Sequence, residues 1–217
     1  MSLLKKNKIY FDNAPWVADE LKKEIDGGLA ILKAVDKPLI TYLGSHIAKK
    51  DEYYYKHAEK LAESLGKKGY GAVTGGQGGV VYAANEGAKK AGMPSIGFKA
   101  GLLAKDNPVN EVVFTESYSF YFVFARRFLL SIKSEALIFY PGGYGTLSEL
   151  FEYVKLMQTG IVDKVPIICI GREYWAGLIE WLKNKVLAEG YLIKGENDLE
   201  LISVVDTVEE VLKIVEK

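Results

Sequence analysis

The sequence predicts a Rossmann-like α/β fold: a doubly wound, mostly parallel sheet of about seven strands with helices on both faces. Three observations predict it. Short, nearly continuous apolar runs of strand character alternate with segments of helical periodicity, the pattern of a parallel sheet covered on both sides. Two of those runs end in glycine-rich turns, at 75–79 and 142–145, and each turn opens the next helical segment. The chain has 217 residues, 49% hydrophobic and 26% charged, the make-up of an ordinary globular protein with one sizeable core. The expected organisation is a single domain over 1–217 with an N-terminal helical extension over about 1–37.

In chain order, Trp16, Val17, Leu21, Ile25, Leu29, Ile31 and Leu32 recur at helical spacing over 15–35, with Gly27–Gly28 as a break. After Pro38, LITYL (39–43) reads as a strand running into Gly44–Ser45. Tyr55, Ala58, Leu61, Ala62 and Leu65 mark a helix over 52–68. YGAVT (70–74) is a second strand, followed by the GGQGG turn and a short helix over 80–92. SIGF (95–98) is a third strand, 99–110 a surface loop with Gly101 and Pro108, and EVVFTE (111–116) a fourth strand. An aromatic-rich helix is expected over 119–133, then the strand 136–140 and a helix to about Met157. VPIICIG (165–171) and LISVVD (201–206) are further strands, with helices over 174–187 and 208–215.

Composition narrows the function. Lys+Arg and Asp+Glu are both 28, so no net positive field favours nucleic acid. The single cysteine, Cys169, lies in an apolar run and reads as a core residue. No Cys/His spacing suits a metal, and the only histidines, His46 and His57, are remote in sequence from the glycine turns. No run approaches membrane-spanning length and the first residues carry no long apolar stretch, so a cytoplasmic location is expected by elimination, with no membrane partner.

The chemistry is expected at ALIFYPGGYGTLSE (136–149). A strand ends at Pro141, Gly142, Gly143 and Gly145 follow, and Thr146 leads into an apolar-periodic helix. Such a strand–glycine–helix turn presents backbone N–H groups to an anion at the positive end of a helix. The amides of Gly143, Gly145 and Thr146, with the Thr146 hydroxyl, are the candidate phosphate donors; Gly75, Gly76 and Gly79 complete the cradle, and Ser45 could line the same crevice. Neither turn is a dinucleotide fingerprint or a P-loop, which argues against a nucleoside triphosphatase. A tight turn with close helix–strand packing is the plainer account of Gly75–Gly79. Glu149 would face the sugar, stabilising an oxocarbenium-like transition state and activating water. Thr146-x-x-Glu149 is equally the pattern of a capping box, in which Glu149 would only serve its own helix end. Arg126 and Arg127 interrupt an apolar helix and need anionic partners there, either in a structural ion pair or in the site.

These residues carry a resemblance. Pro141, Gly142, Gly143, Gly145, Thr146 and Glu149 match every fixed position of P-G-G-x-G-T-x-x-E, a motif of the Lonely Guy (LOG) family, often labelled possible lysine decarboxylase. The family's M-x-x-R-K corresponds to Val123, Phe124, Ala125, Arg126 and Arg127, with Val123 for Met and Arg127 for Lys. Its G-G-G-x-G-[LI]-M corresponds to 75–81, with Gln77 for Gly and Val81 for Met. The likeness runs from about Leu39 to Gly160 and is similar to the longer branch of the family.

The resemblance implies a Rossmann-like protein, a homodimer or larger, that hydrolyses the N-glycosidic bond of nucleoside 5′-monophosphates to free base and ribose 5-phosphate. It further implies Glu149 and Arg126 as the catalytic pair and Arg127 as a nucleotide contact. An AMP-like ligand is the expected partner, with phosphate or sulfate able to take the same place; neither a metal nor a cofactor is called for. A related branch binds molybdenum cofactor without hydrolysis, so a carrier is the alternative. A literal decarboxylase would need pyridoxal phosphate on a lysine, and no lysine stands out.

Overall fold

The computed structural model describes residues 7–101 and 109–216. The first six residues, and 102–108 with Pro108 of the expected loop, lie outside the described residues. Seven strands form one parallel sheet: β1 (Leu39–Leu43), β2 (Gly71–Thr74), β3 (Ser95–Ala100), β4 (Glu116–Phe120), β5 (Ser134–Phe139), β6 (Ile167–Ile170) and β7 (Ile202–Val205). Their order is β4-β3-β2-β1-β5-β6-β7, so the chain winds one way from β1 to β4 and the other way from β5 to β7. The reversal falls between β1 and β5, paired from Leu39↔Ser134 to Leu43↔Phe139. A crevice opens beyond the carboxyl ends of strands at such a switch point.

Central strands are buried on both faces, which is why they read as unbroken apolar runs rather than alternations. Ile40, Tyr42, Ala72, Ile138, Ile168 and Ile170 point to one face. There they meet α3 (Tyr53–Gly66), α4 (Gly79–Lys90) and α9 (Val208–Val215). Leu39, Leu43, Val73, Ile96, Phe98, Leu137, Phe139 and Cys169 point to the other. That face is covered by α2 (Ala14–Ala34), α5 (Val123–Ser131), α6 (Tyr144–Gln158) and α7 (Arg172–Trp181). Cys169 is fully buried and burial pushes its thiol up, as a core residue requires. A short α1 (Lys8–Asp12) precedes α2, and α8 (Glu196–Leu199) precedes β7. No described helix is long and apolar enough to cross a membrane.

Four expectations need correction. Gly27–Gly28 do not break the first long helix: α2 runs unbroken, and its glycines allow close contact. An ideal Cβ would lie 2.5 Å from the Tyr118 ring at Gly27 and 2.4 Å from Leu129 Cδ1 at Gly28. Residues 111–116 are not a strand; Glu111–Val113 form a 3₁₀ turn whose Val112 N–H is accepted by the Asn110 side chain at 3.1 Å. The strand is Glu116–Phe120, paired with β3, so the aromatic helix begins at Val123 and not at Ser119. Finally, α7 ends at Trp181 and continues as a π-helical stretch over Leu182–Leu187.

Candidate active site

The end of β5 and the start of α6 carry the centre of the site. Tyr140 N–H bonds Leu43 O and Ser45 N–H bonds Pro141 O, so the chain leaving β5 stays zipped to that leaving β1. Val80 N–H bonds Ser45 O, which ties in the start of α4 as well. One residue of the first crossover thus clasps both glycine turns through its main chain. The Ser45 hydroxyl is used locally, accepting Ile47 N–H at 3.3 Å.

α6 begins at Tyr144 with Gly143 as N-cap, and no side chain caps it. Leu147 is the first residue whose N–H finds a helical acceptor, Gly143 O at 3.1 Å. The amides of Gly143, Tyr144, Gly145 and Thr146 are therefore the four donors a helix start leaves over. This start also decides against the capping box. Thr146 is the third helical residue, and Glu149 is too far along to reach the cap.

Glu149 pairs with Arg126. Arg126 Nη2 donates to Glu149 Oε1 at 2.9 Å, and the two side chains are only 9% and 12% exposed. Burial pushes the Glu149 carboxyl above the usual carboxylate range, while Arg126 and then Arg127 pull against that rise. Arg126 Nε is buried without a partner. The guanidinium also lies against Gly75, where an ideal Cβ would sit 3.4 Å from Nη1. Arg127 is engaged by α6: Nη1 donates to Ser148 Oγ at 2.7 Å and Nε lies 2.9 Å from Glu152 Oε2.

These groups line one cleft of about 440 Å³. Gly44, Ser45, His46 and Ile47 come from the end of β1, Gln77 from the first turn, Ala100 from β3 and Val123, Arg126 and Arg127 from α5. Gly143, Tyr144, Gly145, Thr146 and Glu149 come from α6. Of the expected site residues, Ser45, Arg126, Arg127, Gly143, Gly145, Thr146 and Glu149 meet here. Gly142, Gly75, Gly76 and Gly79 shape the walls instead of lining the space. An ideal Cβ at Gly142 would lie 2.2 Å from Thr146 Oγ1, and one at Gly79 (φ +70°) 2.2 Å from Ser45 O. Gly76 (φ +62°) is pressed by Lys99 and Gly97, and its N–H donates to Thr74 Oγ1 at 3.0 Å.

Sequence reasoning missed His46, Ile47, Gln77, Ala100 and Tyr144. His46 is distant along the chain and arrives only because Ser45 is clasped between the two turns. Gln77 stood out only as a departure from a glycine pattern. The aromatics of the expected helix divide: Phe120, which ends β4, and Phe122, the N-cap of α5, are buried, whereas Phe124 and Phe128 on α5 are exposed. A larger groove of about 560 Å³, lined by Arg172, Ile179, Lys183 and Val204 among others, has neither a glycine turn nor a buried ion pair.

The family described as "Possible lysine decarboxylase" matches residues 81–215, which includes α5, the second glycine turn and Glu149. The chain belongs to this family, the LOG family. Among relatives of the LOG protein, a bifunctional cytokinin biosynthesis protein of Fusarium pseudograminearum is 37% identical over 76 residues, 35% of this chain and 15% of that one. The cytokinin riboside 5′-monophosphate phosphoribohydrolase of Mycobacterium tuberculosis is 31% identical over 108 residues, 50% of this chain and 54% of that one. The matches thus span about half or less of these two relatives. Among solved structures, the molybdenum cofactor binding protein of Rippkaea orientalis superposes with a TM-score of 0.62 at 20% identity, covering 83% of this LOG chain and 96% of that one. At that identity the likeness is one of fold.

Proposed function

We propose that this protein is a nucleoside 5′-monophosphate phosphoribohydrolase. One observation carries the reading: an uncapped helix start and a buried Arg–Glu pair share a single cleft. The free amides of 143–146 take the phosphate monoester at the positive end of α6. The ribose then lies toward Glu149. As the C1′–N bond breaks, its electron pair leaves with the base, which takes up a proton, and positive charge develops on the sugar. The Glu149 carboxylate stabilises that charge and accepts a proton from the water that bonds to C1′. Arg126 fixes the carboxylate and pulls its pKa down against burial; its unpartnered Nε leaves it donor capacity. The named activity of the Mycobacterium relative supports the same chemistry. No lysine is among the described residues lining the cleft, so nothing there would hold pyridoxal phosphate as a Schiff base.

The test is release of free base and ribose 5-phosphate from AMP. Glu149→Gln should abolish release and largely keep AMP binding; wild-type turnover in that variant would refute the assignment. Because turnover needs the ionised carboxylate and burial raises its pKa, activity should fall as pH drops through a value above 4.5. A second reading, a non-catalytic carrier of a nucleotide or of molybdenum cofactor, draws on the fold shared with the Rippkaea protein. Tight binding of one ligand, without base release from any monophosphate, would select it. A homodimer completes the proposal, checked by light scattering.

A further inference from the structure

A carboxylate in the N-terminal region is buried where no charge is expected. Glu24 lies on α2 and is 1% exposed. It shares a buried row, at successive spacings of four, with Gly28 and Leu32. Its partners are main-chain groups of a different element. Oε2 accepts Phe122 N–H at 3.1 Å and Oε1 accepts Tyr121 N–H. Phe122 is the N-cap of α5 and contributes no capping side chain of its own. One of the donors left over at the start of α5, Phe122 N–H, and the amide just before it are therefore satisfied from another helix, by a carboxylate at its positive end.

α2 grips this segment at several points. Gly27 and Gly28 bring it against Tyr118 and Leu129. Beyond the far end of α5, Lys133 Nζ donates to Leu32 O at 2.7 Å and to Val35 O. One turn past the Glu24 contact, Arg126 N–H bonds Phe122 O at 3.2 Å, and the Arg126 side chain reaches Glu149 at 2.9 Å. The line from Glu24 to the cleft is thus two amides, one helical turn and one guanidinium.

We propose that Glu24 is a positioning residue for the cleft: by holding the first amides of α5 it sets where Arg126 meets Glu149. The assignment rests on the functional reading above for its effect on turnover, though not for its geometry. Glu24→Gln keeps shape and one acceptor but turns the second oxygen into a donor facing an N–H. Leu32→Ala is the control, since it loosens the same buried row without touching the start of α5. Should Glu24→Gln not fold, Glu24→Asp keeps the charge and withdraws the oxygens by one methylene.

Two readouts are taken on the full chain: amide hydrogen exchange at Tyr121 and Phe122, and AMP hydrolysis with AMP affinity. Glu24→Gln should speed exchange at both amides and lower kcat by about ten- to a hundredfold with KM within about twofold. Leu32→Ala should lower Tm and leave both readouts as in wild type. If wild type releases no base, the hydrolase reading fails by itself, and weaker AMP binding in Glu24→Gln then supports the positioning role. Unchanged exchange at Tyr121 and Phe122 overturns the proposal. So does faster exchange with turnover and affinity untouched, and so does an equal loss of kcat in Leu32→Ala.

Discussion

Glycine does two different jobs in the turn after β5. Gly142 has no room for a side chain, because the Thr146 hydroxyl occupies the place of its Cβ. At Gly143 and Gly145 an added Cβ would meet nothing within 4 Å, and neither residue has a positive φ. The fold has no need of glycine at those two positions; under the proposed phosphate site an incoming monoester would. Gly145→Ala should therefore stabilise the unliganded protein, by up to about 1 kcal/mol from helix propensity. The same change should weaken AMP binding, read as a smaller rise in Tm on adding AMP. Gly79→Ala should behave in the opposite way, costing about 1–3 kcal/mol or more in urea unfolding from its φ of +70° and its clash with Ser45 O. Arg126 yields a third expectation. It holds the Glu149 carboxyl down against burial, so Arg126→Ala should lower turnover and move the acidic limb of the pH–rate profile upward. The sequence marks all seven glycines of the two turns alike. What separates them is the neighbour each Cα faces, and most of those neighbours are distant along the chain.

At the level of elements, the pattern Thr-x-x-Glu occurs twice with two outcomes. At α9, Thr207 is the N-cap: its hydroxyl accepts Glu210 N–H at 3.2 Å, and Glu210 Oε2 accepts Thr207 N–H at 3.0 Å. At α6, tyrosine and glycine precede the threonine inside the helix, and the glutamate is released to face Arg126. Thr207→Ala should cost about 0.5–2 kcal/mol of stability, measured by urea unfolding. The local motif could not tell the two apart, because that depends on where the helix starts relative to the clasp at Ser45. Strand and helix alternation was legible because burial on both faces leaves long apolar runs. β4 was misplaced by a few residues, since an outer strand with Glu116, Ser117 and Ser119 is half-exposed and lacks such a run. Glu24 hid among the charges of an amphipathic helix. Only its place in the row with Gly28 and Leu32 sets it apart.

For the whole molecule, a residue outside the cleft contributes to acid stability. His57 Nδ1 and Tyr140 Oη are 2.9 Å apart in the core beneath the second turn. Burial, and then Lys60, lower the His57 pKa below 6.5, while Glu209 and Asp206 pull it up. The unfolded chain therefore binds the proton more readily than the folded one. The neutral ring's contribution is whole above pH 6.5 and is lost as pH falls from there toward the folded value. His57→Gln should flatten the pH dependence of urea-unfolding stability in that window.

The reversal of winding between β1 and β5 also bears on biosynthesis. The cleft walls come from 44–47, 77, 100, 123–127 and 143–149, and β1 gains its β5 neighbour only when 134–139 are in place. A nascent chain halted before Ser134 would already hold the residues of four strands, yet lack the Pro141 half of the clasp on Ser45 and the carboxylate. Affinity for a nucleotide should arrive late and abruptly during translation, when the ribosome has released the segment ending near Gln158.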